Sequence, residues 1–117
     1  MSTDEVLDAA AVAELRRAQD AFGNPAFIRE LVELFRSRTP GKLDQVREAL
    51  AAGDAASVEQ VAHALRSNCA MLGALRMAAA AARMEEAAAK GDLAAADVAF
   101  GEAEQNLPHV LGALSAL

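Results

Sequence analysis

The sequence predicts an all-α protein, an antiparallel up-down four-helix bundle with an additional short N-terminal helix. Apolar residues make up 54% of the chain, which is enough for a packed core. Trp and Tyr are absent, and alanine, the strongest helix former, is the commonest apolar residue. Few runs of β-branched residues favour strands instead.

The size and charge of the chain limit what it does. A chain of 117 residues supports one continuous core, so we expect residues 1–117 to form a single domain. The net charge of −6 argues against binding nucleic acid, which needs a basic surface. No stretch approaches the roughly 18 apolar residues of a membrane span, and the acidic start lacks the pattern of a secretory signal. Cys69 is the only cysteine, so no internal disulfide forms. We therefore expect a soluble, cytoplasmic protein.

Gly-Asp pairs mark two of the expected turns between helices. Gly53-Asp54 and Gly91-Asp92 each follow a helical run. Glycine tolerates the left-handed backbone at a helix end, and aspartate caps the start of the next helix. Turns this short predict that the helices on either side run antiparallel.

The first helix is predicted to run from its N-cap Asp8 to about Ala21, where it covers one end of the bundle. Gly23 then breaks the chain, and the next helix is predicted to start with Asn24 as its N-cap and Pro25 in its first position. The expected core residues of the first helix are Ala9, Val12, Leu15 and Ala18.

The second helix is predicted to be long and kinked, from about Pro25 to Ala52. Its apolar stripe keeps one helical register across Pro40, so the proline should kink the helix rather than end it. That stripe contains Ile28, Val32, Phe35, Leu43, Val46 and Leu50.

Three further helices are predicted over Asp54 to Leu72-Gly73, over Leu75 to Lys90 and from Asp92 onward. Pro108 is expected to bend or interrupt the last of them. The predicted core residues are Met77, Ala81, Met84 and Ala88 in the fourth helix and Leu93, Ala96, Phe100, Ala103, Leu107, Val110, Leu111 and Leu114 in the fifth.

His63 is predicted to lie on the outer face of the third helix. An advance of 100° per residue places it roughly 140° from the buried stripe of Val58, Val61, Ala62, Leu65, Cys69 and Leu72. Its neighbours one or two turns away are Glu59, Gln60, Arg66, Ser67 and Ala70. The small side chains among them leave room for another surface to approach. Exposure alone assigns no function, because an exposed histidine among polar neighbours usually has no functional role.

The segment that begins at His63 resembles the motif of histidine phosphotransfer (HPt) domains. From His63 to Ala74 it runs His-Ala-Leu-Arg-Ser-Asn-Cys-Ala-Met-Leu-Gly-Ala, and the family motif is roughly His-x-Leu-Lys-Gly-Ser-(Ser/Ala)-x-x-Leu-Gly-Ala. The surrounding segments are also similar to the family: apolar Phe27–Phe35, then Thr39-Pro40, and Met84-Glu85 where the family tends to have Leu-Glu. The resemblance covers nearly the whole chain.

Four positions depart from the motif. Ser67 replaces the usual glycine one turn after the histidine; serine is still small, so access to His63 should survive. Asn68 and Cys69 replace small residues. Arg66 replaces lysine and keeps the charge, although a planar guanidinium is not equivalent to an ammonium group.

The resemblance implies a phosphoryl carrier in a phosphorelay. His63 would accept a phosphoryl group on Nε2 from a receiver-domain phospho-aspartate and pass it to another receiver. Phosphoryl transfer needs positioning and charge neutralisation, which Arg66 would provide. Gln60 or Ser67 would orient the ring or donate to a phosphoryl oxygen. The other expected contacts with the partner are Glu59 and Ala70.

The expected partners are response-regulator receiver domains and a hybrid sensor kinase. We expect no cofactor, since the His63 face offers one carboxylate, Glu59, and any Mg²⁺ would belong to the receiver. The sequence contains no Gly-rich nucleotide-binding segment, so we expect a carrier without autokinase activity. All four predicted bundle helices come from one chain, so we also expect a monomer.

Two alternatives remain open. The segment from His63 to Ser67 also resembles the H-box of sensor-kinase dimerisation domains, which would make the protein a dimeric phosphotransferase. That motif has an acidic residue after the histidine and a proline five positions on, where this chain has Ala64 and Asn68. A helical adaptor of the same fold without phosphorylation is the second alternative.

The remaining candidates are interpreted as structural. Cys69 should be a buried, inert thiol. His109 has no spaced partners for a metal site. Glu85-Glu86 is interpreted as solvated helix surface. The core gap-fillers are expected to be Met77, Met84 and Met71, the last of which borders the outer face.

Overall fold

The computed structural model describes residues 6–117, most of which are helical. The helices are α1 (Ala9–Phe22), α2 (Phe27–Ala52), α3 (Ala55–Met71), α4 (Leu75–Ala89) and α5 (Leu93–Ser115). Helix α3 packs against α2 and α4, and α5 packs against α4 and α2. These four helices form the up-down bundle, and α1 packs against α2 as the additional helix. The all-α prediction is confirmed.

The turns before α3 and α5 form as predicted. The side chains of Asp54 and Asp92 accept hydrogen bonds from backbone N–H groups at the helix starts, at 3.1 Å and 3.0 Å. Gly53 and Gly91 adopt the left-handed backbone, with φ of 69° and 74°. The hydroxyl of Ser57, and then its backbone N–H, lower the pKa of the Asp54 carboxyl by hydrogen bonding to it.

The start of α2 differs from the prediction that Asn24 is its N-cap and Pro25 its first residue. The Asn24 side chain instead accepts from the backbone N–H two residues on, at 3.0 Å, and forms a separate turn. Helix α2 therefore begins at Phe27. The Gln19 side chain of α1 provides an acceptor for the first turn of α2: its Oε1 accepts a hydrogen bond from the backbone N–H of Ile28 at 2.9 Å.

Both long helices continue through a proline. This was predicted for Pro40 in α2. A bend or an interruption was expected at Pro108, and the interruption does not occur, because α5 continues through this proline. Both proline rings are exposed, so they displace no core side chain. Buried residues of α5 on both sides of Pro108, Ala103 and Val110, keep the helix packed on the bundle.

The predicted core stripes are largely buried in one cluster. Ala9 is exposed, contrary to the prediction, and Val61 is only partly buried. Met77 and Met84 fill the core, whereas Met71 is 48% exposed and borders the outer face. The remaining predicted core residues that are only partly buried are Ala18, Ile28, Val32, Leu50, Leu93, Leu107 and Leu111.

The N-terminal helix begins against the turn between α3 and α4. The backbone N–H of Asp8 donates to the carbonyl of Gly73 at 2.7 Å. Gly73 is buried with φ of 79°, and a Cβ there would lie 3.1 Å from the Cβ of Ala11. The start of α1 therefore closes the end of the bundle at which α3 and α4 meet. Within residues 6–117, no helix is long and apolar enough to cross a membrane.

Candidate phosphoacceptor site

Helix α3 holds His63 on the surface of the bundle. Its core face carries Ala62 and Leu65, which are 0% and 1% exposed. His63 follows Ala62 in the helix, and the rotation of about 100° per residue directs its side chain away from that face. The His63 side chain is 60% exposed. The helical spacing of the sequence predicts this outward placement.

A carboxylate from α4 reaches the imidazole. Glu85 Oε2 lies 2.6 Å from His63 Nδ1, and the Glu85 side chain is only 19% exposed. The interpretation of Glu85 as solvated surface is therefore wrong. It holds for Glu86, which is 68% exposed and pairs with Lys90 on its own helix.

A signal for Glu85 was present in the sequence. His63 and Glu85 lie 10 and 12 residues from Gly73, on opposite sides of the α3–α4 turn. Residues at similar distances from a tight turn lie side by side in an antiparallel helix pair. A search for a carboxylate at that distance, rather than within α3, would have found it.

Arg66 completes a cluster of three side chains. It lies one turn after His63 on α3, and its guanidinium approaches both other members at 3.3 Å: Oε1 of Glu85 and Nδ1 of His63. The Glu85 carboxylate thus lies between an arginine and a histidine. Its second oxygen remains directed at the ring.

These contacts assign the proton of the neutral ring. A carboxylate only accepts hydrogen bonds, so at 2.6 Å Nδ1 donates to Glu85. Arg66 only donates, and its longer approach to the same nitrogen is therefore not a hydrogen bond in this tautomer. Nε2 then carries the lone pair, and no residue of the described chain forms a hydrogen bond with it.

The other predicted site residues lie around the ring without forming a hydrogen bond with it. Glu59 and Gln60 line a shallow depression of about 320 Å³ together with His63 and Glu85. Ser67 and Ala70 are exposed on the following turns of α3. Their short side chains leave the approach to the imidazole open.

The remaining candidates lie outside this cluster. Burial raises the pKa of the Cys69 thiol to about 12. His109 is exposed on α5. In the described part of the chain, no three His, Cys, Asp or Glu side chains are grouped to hold a metal ion. A larger groove of about 530 Å³ between α1, α2 and the end of α5 shares no residue with the His63 site.

The family of the protein follows from comparison with known sequences. The model of the Hpt domain family matches residues 30–117, a range that includes both histidines of the chain. The chain belongs to the Hpt domain family, and its function is histidine phosphotransfer in phosphorelays.

A solved structure shares the fold. It is the crystal structure of histidine-containing phosphotransfer protein B (HptB) from Pseudomonas aeruginosa PAO1, and the TM-score is 0.84. The two chains are 23% identical, and the match covers 95% of this chain and 92% of that one. A search of curated protein sequences gives no match.

Proposed function

We propose that His63 is the phosphoacceptor of this Hpt domain. It takes a phosphoryl group from the phospho-aspartate of one receiver domain and passes it to a second receiver. The observation that carries the proposal is the state of the ring: Glu85 occupies Nδ1, and Nε2 keeps its lone pair on an exposed surface. His109 is also exposed but has no such carboxylate contact within residues 6–117.

The chemistry requires no proton to move. Nε2 of the neutral ring attacks the phosphorus atom in line with the aspartyl oxygen. The Nε2–P bond forms as the P–O bond breaks, and its electron pair stays on the aspartate carboxylate of the receiver. Nδ1 keeps its proton throughout. Transfer to the second receiver is the reverse of this step.

Arg66 supplies positive charge for the phosphoryl group. In the unphosphorylated protein its guanidinium lies on the Nδ1 side of the ring, against Glu85. It must therefore turn towards Nε2 when the phosphoryl group arrives. Its side chain is 44% exposed, which leaves it free to do so. Gln60 or Ser67 donates to a phosphoryl oxygen or orients the ring.

The receiver docks over His63, along α3 and the adjacent α2. The acceptor surface of a receiver is recessed, so an imidazole that protrudes between small residues fits it. Ser67 and Ala70 provide that clearance, and Glu59 borders the contact.

The proposed role also indicates the partners, the compartment and the cofactor requirement of the protein. The partners are receiver domains of response regulators and of a hybrid sensor kinase, in the cytoplasm. The carrier itself binds no cofactor, and Mg²⁺ belongs to the receiver. Helices α2 to α5 of one chain enclose the core, so the bundle needs no second chain. This supports a monomer over the dimeric H-box alternative.

Label transfer from a panel of phosphorylated receiver domains tests the assignment. The parent and His109→Gln should acquire an acid-labile, base-stable label, and His63→Gln should acquire none. Helical content and melting temperature should stay unchanged in both variants, because exposed side chains contribute little to stability. Labelled ATP and Mg²⁺ alone should label none of the proteins. Persistent labelling of His63→Gln would show that another residue is the acceptor, and labelling by ATP would contradict the carrier role.

A further inference from the structure

The Glu85 carboxylate has more to do in the phosphorylated protein than in the free one. A phosphoryl group on Nε2, with Nδ1 still protonated, makes the ring a cation. When the P–Nε2 bond breaks, its electron pair returns to Nε2 and the ring leaves as a neutral imidazole. A ring that has lost its Nδ1 proton would have to leave as an anion, which is a far poorer leaving group. Onward transfer therefore depends on the Nδ1 proton.

We propose that Glu85 is a positioning residue that keeps the proton on Nδ1 of phosphorylated His63, and so holds the phosphohistidine ready for onward transfer. This inference rests on the proposed role of His63. The carboxylate is 2.6 Å from Nδ1 and is itself largely shielded from water, so its attraction for a cationic ring is only partly screened.

The geometry also implies an exchange of ionic partners. In the free protein Glu85 faces Arg66 across 3.3 Å and a neutral ring across 2.6 Å. Phosphorylation turns the ring into a cation next to Glu85 and places an anion on Nε2. Arg66 then pairs with the phosphoryl group, and Glu85 pairs with the ring alone. The phosphoryl anion is then paired with Arg66, and the cationic ring is paired with Glu85, whose carboxylate no longer interacts with Arg66.

The charged groups around the ring come from two helices. Helix α3 contributes Arg66 and Glu59, and α4 contributes Glu85. Helix α2 contributes none to the depression that holds the imidazole. Of the two carboxylates, Glu85 contacts the ring, so its removal should change the pH dependence of the phosphohistidine more than removal of Glu59.

The test compares the parent with Glu85→Gln and with the matched control Glu86→Gln. Glutamine keeps the size of the side chain and one hydrogen-bond acceptor at the Glu85 position, removes the charge and replaces the second acceptor oxygen with an NH2 donor. The control removes the same charge one residue along α4, where the side chain pairs with Lys90 instead. Each protein is phosphorylated with phosphoramidate. Loss of the phosphoryl group is followed by ³¹P NMR from mildly acidic to mildly alkaline pH, and ¹⁵N NMR reports the protonation of Nδ1.

Removal of the anion disfavours the cationic ring, so Nδ1 of phosphorylated Glu85→Gln should lose its proton at a lower pH than Nδ1 of the phosphorylated parent. At mildly alkaline pH, its phosphohistidine should persist up to about tenfold longer than that of the parent. At acidic pH, where Nδ1 is protonated in every protein, the lifetimes should coincide. Glu86→Gln should follow the parent throughout.

Three results overturn the inference. In the first, the pH profile of Glu85→Gln superimposes on that of the parent. In the second, Glu86→Gln shifts as far as Glu85→Gln, which shows a general charge effect. In the third, no protein is labelled at His63, which overturns the proposed acceptor itself and is distinguished by the absence of any phosphohistidine signal in the parent.

Discussion

At the scale of single residues, Arg66 and Ser67 separate two requirements of phosphoryl transfer. Arg66 brings a positive charge to within 3.3 Å of the imidazole. Ser67 lies on the following turn of the same outer face and leaves it uncrowded. Neither side chain belongs to the core, so both can be changed without altering the fold.

Arg66→Ala and Ser67→Arg should fail in different ways. Loss of the arginine charge should slow transfer by at least about tenfold, or about 1.4 kcal/mol in the transition state, with little loss of receiver binding. A long side chain at position 67 should weaken binding and slow transfer together. Transfer kinetics and binding of an unphosphorylated receiver measure the two effects. If Ser67→Arg binds and transfers like the parent, the docking face lies elsewhere.

Cys69 should be chemically inert in the folded protein. Its side chain is fully buried, and burial raises the pKa of the thiol to about 12. The reactive thiolate is therefore scarce at neutral and mildly alkaline pH, and reagents have no access. We expect no alkylation of the native protein and complete alkylation in denaturant, as measured by intact mass. Rapid alkylation of the native protein would contradict this burial.

At the scale of the helices, the turn between α3 and α4 sets the register of the site. That turn places Glu85 beside His63, and Gly73 lets the start of α1 pack closely on it. Gly53, at the turn between α2 and α3, has a similar φ of 69° but open space around it. Substitutions at the two glycines therefore distinguish the effect of backbone strain from the effect of close packing.

Gly73→Ala should destabilise the protein more than Gly53→Ala. Both substitutions place a Cβ on a left-handed backbone, at a cost of about 1–2 kcal/mol. Only Gly73→Ala also meets Ala11 and the backbone of Asp8, at 3.1–3.2 Å. Thermal unfolding should show a lower melting temperature for Gly73→Ala. Equal melting temperatures would show that the start of α1 moves away from the added Cβ without a loss of stability.

The sequence predicted those features that depend on neighbouring residues. The Gly-Asp turns, the Asp8 cap and the helix through Pro40 follow from local chemistry and from one apolar register. The start of α2 could not be predicted in this way, because a side chain of another helix, Gln19, accepts a hydrogen bond from a backbone N–H in its first turn. The continuation of α5 through Pro108 depends on packing on both sides of the proline.

The same distinction applies to the site. His63 and its neighbours on α3 could be placed because helical spacing alone determines which face they share. Glu85 was missed because its contact with His63 joins two helices, and such contacts depend on the length of the turn between them. The contact between Arg66 and Glu85 was missed for the same reason.

At the scale of the whole molecule, the protein should be a monomer. The core cluster is formed within one chain, and Arg47 of α2 links to Glu104 of α5 across the bundle. Light scattering should give a mass near the 12.1 kDa of a single chain. A mass of twice that value would favour the dimeric H-box alternative.

The proposed phosphoryl carrier is Nε2 of His63, with the proton kept on Nδ1. The most direct measurement is NMR of the ¹⁵N-histidine-labelled protein after phosphorylation by a receiver domain. We expect ³¹P coupling to Nε2 of His63 and a protonated Nδ1 at neutral pH, with His109 unchanged. Coupling to Nδ1 of His63, or to either nitrogen of His109, would contradict it.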